Sequence, residues 1–178
     1  MNAHAIEDGG SRRWFALRVK SNCEKMVATV VSHKGFEEFL PLYQVRHRWS
    51  DRIKSVDLPL FPGYVFCRLD ARLRLPILKI PGALQFVGIG KVPIPIEDAE
   101  IAALQQAARS GLPAEPWAYL EVGQLVRLEA GPLAGLEGML TETRKQYRVV
   151  VSVSLLKRSV AVEIDREWVT PQVRTGAP

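Results

Sequence analysis

The composition of the chain changes once along its length, around residues 111–117, and this change limits the folds available to it. Residues 110–116 read Ser-Gly-Leu-Pro-Ala-Glu-Pro, a mixture of Gly, Pro and small residues that is typical of a linker. Helix-like and strand-like patterns alternate before this segment, whereas short β-rich segments follow it. The sequence therefore predicts two domains, at residues 12–110 and 118–173, joined by a linker at 111–117.

The first domain is expected to be of the α+β class. A strand pattern at residues 14–19 precedes Ser21-Asn22-Cys23-Glu24, which has the form of a capping box opening a helix. Apolar residues then recur at helical spacing, at Met26, Val27, Val30 and Val31. With the segments that follow, the element order is β-α-β-β-α-β-α. This order predicts a sandwich of helices on a four-stranded antiparallel sheet.

The remaining segments of this domain are assigned by the same patterns. Strands are predicted at 36–43, with an interruption at Pro41, at 64–69 and at 83–89, and helices at 71–79 and 97–109. The last helix carries acidic residues in its first turn, which suits the helix dipole. Its expected buried positions are Ile101, Leu104 and Ala108.

The stretch 58–69 combines two prolines and Gly63 with a strand that has two apolar faces. Val65, Cys67 and Leu69 alternate with Tyr64, Phe66 and Arg68, so one face is aliphatic and the other carries aromatic rings next to Phe61. A small sheet usually hides one face under helices and shows a polar face to water. Either another part of the same chain covers the aromatic face, or a partner does.

The second domain is expected to be a small barrel. Four short β-rich segments, at 124–129, 136–144, 147–154 and 160–164, are separated by glycines, a proline and charged turns. Several short strands within so few residues are typical of an SH3-like barrel. The run of valines at 149–151 is strongly β-forming, so a stable barrel is expected.

Positive charge is concentrated in the first part of the chain. Residues 1–110 contain 16 Lys/Arg and 11 Asp/Glu, which accounts for the whole net charge of +5. Residues 111–178 contain 8 Lys/Arg and 8 Asp/Glu and have no net charge. The connection at 44–54 is hairpin-like, with Trp49 among basic residues, namely Arg46, Arg48, Arg52 and Lys54. Phosphate contact with base stacking is one interpretation, and a solvated surface hairpin is the other.

Several classes of protein are disfavoured. There is no apolar run of membrane-spanning length and no signal-peptide core at the start, and two cysteines form no disulfide framework, which indicates a cytoplasmic protein. The three histidines show no metal-ligand spacing, so neither a metal nor a cofactor is expected. No catalytic residues are assigned, because the sequence has no nucleophile–base set, Walker loop or dinucleotide fingerprint.

Several short motifs together resemble the NusG family of transcription elongation factors. Within 122–140, the alternation Val-Arg-Leu-Glu-Ala-Gly-Pro-Leu-Ala-Gly-Leu-Glu-Gly resembles a KOW motif, the core of an SH3-like barrel. The other matching motifs are Trp14-Phe15-Ala16-Leu17, Phe61-Pro62-Gly63-Tyr64, Phe86-Val87-Gly88 and Val151-Ser152-Val153-Ser154. The runs 48–66 and 155–164 are similar to those of the specialised UpxY-like antiterminators, with RfaH a more distant relative.

This resemblance implies a function and a set of contact residues. Phe61, Tyr64 and Phe66 match the patch that family members lay on the clamp helices of the largest RNA polymerase subunit. The resemblance therefore implies that this aromatic surface stays uncovered by its own chain and awaits a partner, the alternative being that it completes the core. Contacts to the non-template DNA strand are implied for Arg18, Lys20, Asn22 and Lys25, and to the upstream duplex for Arg46, Arg48, Arg52 and Lys54. At the barrel edge, Leu155, Leu156 and Arg158 match the surface used for Rho and a small-subunit ribosomal protein, although Leu156 stands where the housekeeping factor has an aromatic.

The expected function is suppression of pausing and termination by a polymerase-bound monomer without enzymatic activity. The alternative is an RNA- or ribosome-binding KOW protein, for which the basic N-terminal part is also suitable. Salt dependence separates the two, because RNA binding without polymerase weakens steeply with salt. The zero net charge of residues 111–178 argues against the barrel as the main electrostatic binder.

Overall fold

The computed structural model describes residues 12–48, 53–119, 123–143 and 146–171. In chain order, the N-terminal part contains β1 (Arg13–Val19), α1 (Glu24–His33), β2 (Glu37–Phe39), β3 (Leu42–Arg48), β4 (Ile53–Pro59), β5 (Tyr64–Leu69), a 3-10 turn (Ala71–Leu73), α2 (Leu75–Leu78), β6 (Ala83–Phe86), β7 (Gly88–Ile89), β8 (Val92–Pro93) and α3 (Asp98–Arg109). Four of these strands form an antiparallel sheet in the order β2-β5-β1-β6. The predicted α+β class and four-stranded antiparallel sheet are confirmed.

The strand β5 lies inside this sheet and has the two faces that its alternation predicts. Val65, Cys67 and Leu69 pack in one hydrophobic cluster with Val27 and Val31 of α1. Phe66 belongs to a different cluster, together with Trp14 and Ala16 of β1 and Ile101 and Leu104 of α3. The sheet is therefore covered by α1 on one face and by α3 on the other.

Helix α1 begins differently from the prediction. Cys23 is its N-cap residue and makes no side-chain capping bond, and the carboxylate of Glu24 accepts a hydrogen bond from Gly63 instead of closing a capping box with Ser21. Val27 and Val31 are fully buried, while Met26 is 42% exposed. The capping-box prediction is wrong because a buried carboxylate finds its donor in another part of the fold.

Three local predictions need correction. The predicted interruption at Pro41 is confirmed, but the part of the expected strand 36–43 that follows it belongs to β3, which pairs with β4 in a separate two-stranded ribbon. The expected strand 83–89 divides into β6 and β7, and β7 forms a small ribbon with β8. In α3 the third buried position is Ala107 and not Ala108, which is exposed. Ile101, Leu104 and Ala107 are spaced three residues apart and face the core.

The C-terminal part is a six-stranded antiparallel sheet, called the barrel below. Its elements are β9 (Ala114–Ala118), β10 (Gln124–Leu128), β11 (Glu137–Thr143), β12 (Gln146–Val153), a 3-10 turn (Ser154–Leu156), β13 (Arg158–Ile164), a second 3-10 turn (Arg166–Trp168) and β14 (Val169–Pro171). The strand order is β14-β10-β11-β12-β13-β9. Val149, Val151 and Val153 of β12 alternate into its core, and the first two lie opposite Val162 and Val160 of β13.

Strand β9 occupies most of the segment that its composition assigns to a linker. It pairs with β13, with Pro116 opposite Val160 and Trp117 opposite Ser159. Proline is compatible with an edge strand, where its missing N–H need not join the ladder. The connection between α3 and β9 is consequently reduced to residues 110–113, where Pro113 O still accepts from Glu163 N at 3.0 Å, while the division into domains stays a prediction.

Candidate functional site

The aromatic stretch is presented by a tight turn that leads into β5. Tyr64 N donates to Phe61 O at 3.1 Å, and Gly63 has φ +83°, a left-handed conformation that favours glycine. Both backbone groups of Gly63 are bound, because its carbonyl accepts from Val19 N at 2.9 Å and its N–H donates to Glu24 Oε1 at 2.8 Å. The turn is therefore fixed to both β1 and α1.

The phenylalanine rings next to this turn are buried. Phe61 and Phe66 meet edge to face, with centroids 5.3 Å apart, and Phe39 stacks on Phe66 at 6.1 Å. Phe61 is 1% exposed and Phe66 0%. The expectation that this surface is uncovered by its own chain is wrong for these two rings, because α3 and the barrel complete one hydrophobic cluster with them. Tyr64 is half-buried and keeps a partly open ring.

Arg158 of the barrel lies over the ring of Tyr64. The Arg158 guanidinium lies 5.1 Å from the Tyr64 ring centroid, and its Nη1 donates to Pro62 O at 3.2 Å. Leu155 and Leu156, which precede it, are half-buried and pack against the same cluster as Phe66. The structure thus brings the aromatic residues and the barrel-edge residues, for which the resemblance implies different partners, against each other.

Polar contacts between the two parts are few among the described residues. Besides Arg158, Ser154 N donates to Glu100 Oε1 at 3.1 Å, and Gln106 Nε2 donates to Ala134 O at 3.0 Å. Each of these bonds lies at an exposed position, where water competes for both partners. The contact therefore rests mainly on apolar packing.

The corner between β1 and α1 carries the first set of predicted nucleic-acid contacts. Arg18, Lys20, Asn22 and Lys25 are all exposed. Asn22 adopts φ 64° in the turn that Cys23 N closes onto Lys20 O at 3.0 Å, and Lys20 N is tied to Gly82 O at 2.8 Å. An ordered turn therefore presents three cations and an amide to solvent close together in sequence.

The ribbon of β3 and β4 carries the second set. Arg46 pairs with Ser55 and His47 with Lys54 across the ribbon, so Arg46 and Lys54 lie on opposite faces, and both are exposed. Arg48 lies opposite Ile53. Arg52, like Trp49, falls outside the described residues. A hairpin is confirmed for this segment, and its contact with nucleic acid stays a prediction.

Titratable groups in the described part give no sign of a reactive centre. Burial raises the pKa of the Cys67 thiol far above its usual range, and the nearby Glu38 charge raises it further, so this thiol stays protonated. Burial also raises the pKa of Glu38. Residues 12–48, 53–119, 123–143 and 146–171 contain no group of three or more His, Cys, Asp or Glu placed to hold a metal ion. Nor does any helix there have the length and apolarity to cross a membrane.

Sequence patterns do not reveal the residues that join the site together. They assign Glu24 to a helix cap and Glu100 to the first turn of α3, yet each accepts a hydrogen bond from a distant segment. Phe39, which stacks on Phe66, is predicted only as part of a strand. Local patterns contain no signal for such contacts, because the partners lie far apart along the chain.

The structural class of this protein is defined by an α+β N-terminal part that packs against a six-stranded antiparallel β sheet, with exposed cations on the N-terminal part. A family model described as "Transcription termination factor nusG" matches residues 12–105. The chain belongs to the NusG family, and it is a transcription termination/antitermination factor.

Relatives across bacteria support this assignment over most of the chain. The transcription termination/antitermination protein NusG of Buchnera aphidicola is 30% identical over 177 residues, covering 90% of this chain and 96% of the relative. The protein of the same name from Escherichia coli K12 is 29% identical over 176 residues, with the same coverage. A solved structure of Thermotoga maritima NusG has a TM-score of 0.55 at 21% identity and covers 89% of this chain and 96% of the other, which supports the fold.

Proposed function

We propose that this protein is an elongation factor that binds the clamp helices of RNA polymerase through Phe61, Tyr64 and Phe66. It would suppress pausing and termination in the cytoplasm, as a specialised UpxY-like paralog acting on particular operons. The turn before β5 supports the proposal, because it holds a half-buried tyrosine at the rim of a buried phenylalanine pair. A rigid aromatic anchor next to an apolar core is a common design for receiving a partner helix.

The observation that carries the proposal is the cover over Tyr64. Arg158 stacks on this ring and bonds Pro62, so the barrel occupies the surface that the polymerase would need. We therefore propose that the structure is a closed state, and that binding to polymerase requires the barrel to move away. The polymerase then shifts the population towards the open state, because it binds only the open state.

Opening would free the barrel edge at the same time. Leu155, Leu156 and Arg158 are proposed to contact a small-subunit ribosomal protein or Rho. In the closed state Arg158 contacts Pro62 and Tyr64, and Leu155 and Leu156 pack against the hydrophobic cluster that includes Phe66. These partners and the closed state therefore compete for one surface. Leucine at 156 offers less contact area than an aromatic, so these contacts are expected to be weaker than those of the housekeeping factor.

Nucleic-acid contacts are proposed for the exposed cations of the N-terminal part. Arg18, Lys20, Asn22 and Lys25 would contact the non-template strand, and the β3–β4 ribbon, with Arg46, Arg48, Arg52 and Lys54, would reach the upstream duplex. Support comes from the exposure of the first set on an ordered turn. Bridging polymerase and DNA without bond chemistry would disfavour the opened, paused polymerase.

The test is binding to core RNA polymerase by the full chain and by Tyr64→Ala. Removal of one aromatic anchor is expected to weaken binding by roughly 2 kcal/mol, or about thirtyfold in Kd. Tyr147→Ala is the matched control, since Tyr147 also carries an arginine over its ring but lies in the barrel. Equal affinities for wild type and Tyr64→Ala would overturn the proposal. Salt-sensitive RNA binding without polymerase would support the KOW alternative instead.

A further inference from the structure

Glu24 is a buried carboxylate that the proposed contacts with polymerase and DNA do not use. Among the described residues, Glu24 at 5% exposure and Ser159 at 1% are the buried polar or charged ones. A carboxylate is rarely buried unless it is hydrogen-bonded. Here Glu24 Oε1 accepts from Gly63 N at 2.8 Å, across 39 positions of sequence. This bond needs an explanation beyond the stability of α1, which Glu24 could support equally well while exposed.

The bond acts on the peptide unit that sets the direction of the turn. Gly63 has φ +83°, and its carbonyl is already held by Val19 N at 2.9 Å. The carbonyl bond holds the Gly63–Tyr64 peptide plane, and the Glu24 bond to the N–H holds the Pro62–Gly63 peptide plane, so both planes flanking the Gly63 Cα are restrained. The orientation of these planes decides how Phe61 enters the core and how Tyr64 leaves the turn, since these residues lie directly before and after Pro62-Gly63.

Glu24 should matter most for the geometry of the turn in the open state, in which the polymerase would bind. In the closed state Arg158 also holds the turn, through Pro62 O at 3.2 Å. When the barrel moves away, this second restraint disappears, while Glu24 and Val19 belong to the same domain as the turn and stay. The geometry of the turn in the open state then depends on the Glu24 carboxylate.

We propose that Glu24 is a positioning residue for the polymerase-binding surface, which it orders by fixing the Gly63 peptide. Glu24 also lies in the first turn of α1, directly after the exposed corner with Lys20 and Asn22. The same side chain therefore sets the position of the aromatic turn relative to the proposed DNA-binding corner. This inference rests on the proposed function.

The experiment compares three substitutions in the full chain, Glu24→Ala, Glu24→Gln and Glu24→Asp. Glutamine keeps an acceptor oxygen at the same reach, aspartate keeps the charge but is one methylene shorter, and alanine keeps neither. Binding to core RNA polymerase is expected to weaken about tenfold in Glu24→Ala and Glu24→Asp, and to stay within about threefold in Glu24→Gln. Rescue by glutamine but not by aspartate separates positioning from a charge effect on the helix.

Two further readouts separate positioning from loss of folding. Nitrogen-15 NMR of each full-length variant should show the Gly63 amide signal shifted in Glu24→Ala and Glu24→Asp, with signals of the barrel core unchanged. All binding is measured well below the unfolding temperature of each variant. If Glu24→Ala does not fold, the comparison of Glu24→Asp with Glu24→Gln carries the test by itself.

The outcomes distinguish this inference from the function it rests on. Wild-type affinity in both Glu24→Ala and Glu24→Asp, together with weakened binding in Tyr64→Ala, would overturn the role of Glu24 and leave the proposed function standing. Wild-type affinity in all of these variants would overturn both. Equal weakening in Glu24→Gln and Glu24→Ala would also contradict the inference, because the acceptor oxygen would then be irrelevant.

Discussion

The guanidinium of Arg158 lies 5.1 Å from the ring centroid of Tyr64, and the two residues belong to the two different halves of the chain. The same guanidinium donates to Pro62 O. Partner-binding residues proposed for the barrel and for the N-terminal part are therefore each other's partners in the closed state. A protein built in this way can respond to one partner by exposing the surface for another.

Arg158→Ala is expected to favour the open state. A cation–π contact at an exposed position contributes about 0.5–1 kcal/mol, so the population of the open state should rise roughly two- to fivefold. Apparent affinity for core RNA polymerase should rise by the same factor, because it scales with the binding-competent fraction. Small-angle scattering and polymerase binding by the full chain measure the two effects.

Arg166→Ala is the matched control for this substitution. Arg166 lies 5.5 Å from the Tyr147 ring centroid, so the control removes a similar contact inside the barrel. It should change neither the dimensions of the chain nor its affinity for polymerase. An Arg158→Ala protein with wild-type dimensions and affinity would contradict the role of this arginine in closing the chain.

Stability and binding should separate between Phe66 and Tyr64. Phe66 is fully buried and contacts both Phe39 and Phe61, so Phe66→Ala is expected to lower the free energy of unfolding by about 3–5 kcal/mol. Tyr64→Ala removes a half-buried ring and should lower it by no more than about 1 kcal/mol. Urea unfolding of both variants checks this order, and a larger effect for Tyr64 would contradict it. Only Tyr64 is therefore suitable for testing polymerase contact without loss of the core.

The sequence predicted the strand faces of this site better than it predicted which other segments pack against them. Alternation along 64–69 correctly separated the aliphatic face of β5 from the aromatic one, because the strand period is local information. It could not show that α3 and the barrel cover the aromatic face, since Arg158 lies 96 positions from Pro62. The same limit explains Glu24, whose spacing from Ser21 fits a cap while its true donor is Gly63.

Composition also gave a wrong prediction for the first strand of the barrel. Pro113 and Pro116 made residues 111–117 resemble a free linker, but Ala114–Ala118 is a strand on the edge of β13. A strand at a sheet edge tolerates proline, and its pairing is decided by a partner elsewhere in the chain. Side chains hold it in place as well, since Arg148 forms ion pairs with Glu115 and Glu163 and lies 5.2 Å from the Trp117 ring centroid.

Trp117→Ala is consequently expected to loosen β9. Removing the aromatic ring that packs against Arg148 should lower barrel stability by about 1–2 kcal/mol and release residues 114–118 from β13. The segment that links α3 to the rest of the barrel would then include residues 114–118, which gives the barrel more freedom. Hydrogen exchange should then speed up at 158–162, with β11 and β12 unaffected. Unchanged exchange at 158–162 would show that backbone pairing is sufficient to hold β9.

Glu38 is expected to destabilise the folded chain at neutral pH. Burial raises the pKa of Glu38 above its usual 4.5, so the folded state prefers the neutral carboxyl. Relative to neutral pH, the folded chain gains stability from the protonated Glu38 carboxyl. This gain is complete below the unfolded pKa of 4.5 and is lost as the pH rises through the folded pKa. Because Glu38 is half-buried, Glu38→Gln should stabilise at pH 7 by only a few tenths of a kcal/mol.

Glu37→Gln is the neighbouring control for this pH dependence. Glu37 is exposed and forms an ion pair with Arg68 at 3.5 Å, so its removal should give no stabilisation at pH 7. Urea unfolding at several pH values between about 4 and 8 compares the two variants. The gain from Glu38→Gln should shrink as the pH falls towards the unfolded pKa, and a gain that grows on acidification would contradict the assignment.

The exposed corner at Lys20 and Lys25 should dominate electrostatic binding to single-stranded DNA. Removing one phosphate-binding cation is expected to reduce the slope of log K against log salt by about 0.7, so Lys20→Ala with Lys25→Ala should reduce it by about 1.4. The paired control is Lys34→Ala with Lys79→Ala, which removes two exposed lysines at other places in the N-terminal part and leaves the net charge equal. Fluorescence anisotropy over a salt series measures all three proteins. Equal slopes for the two double variants would show that net charge, rather than the geometry of the β1–α1 corner, determines DNA binding.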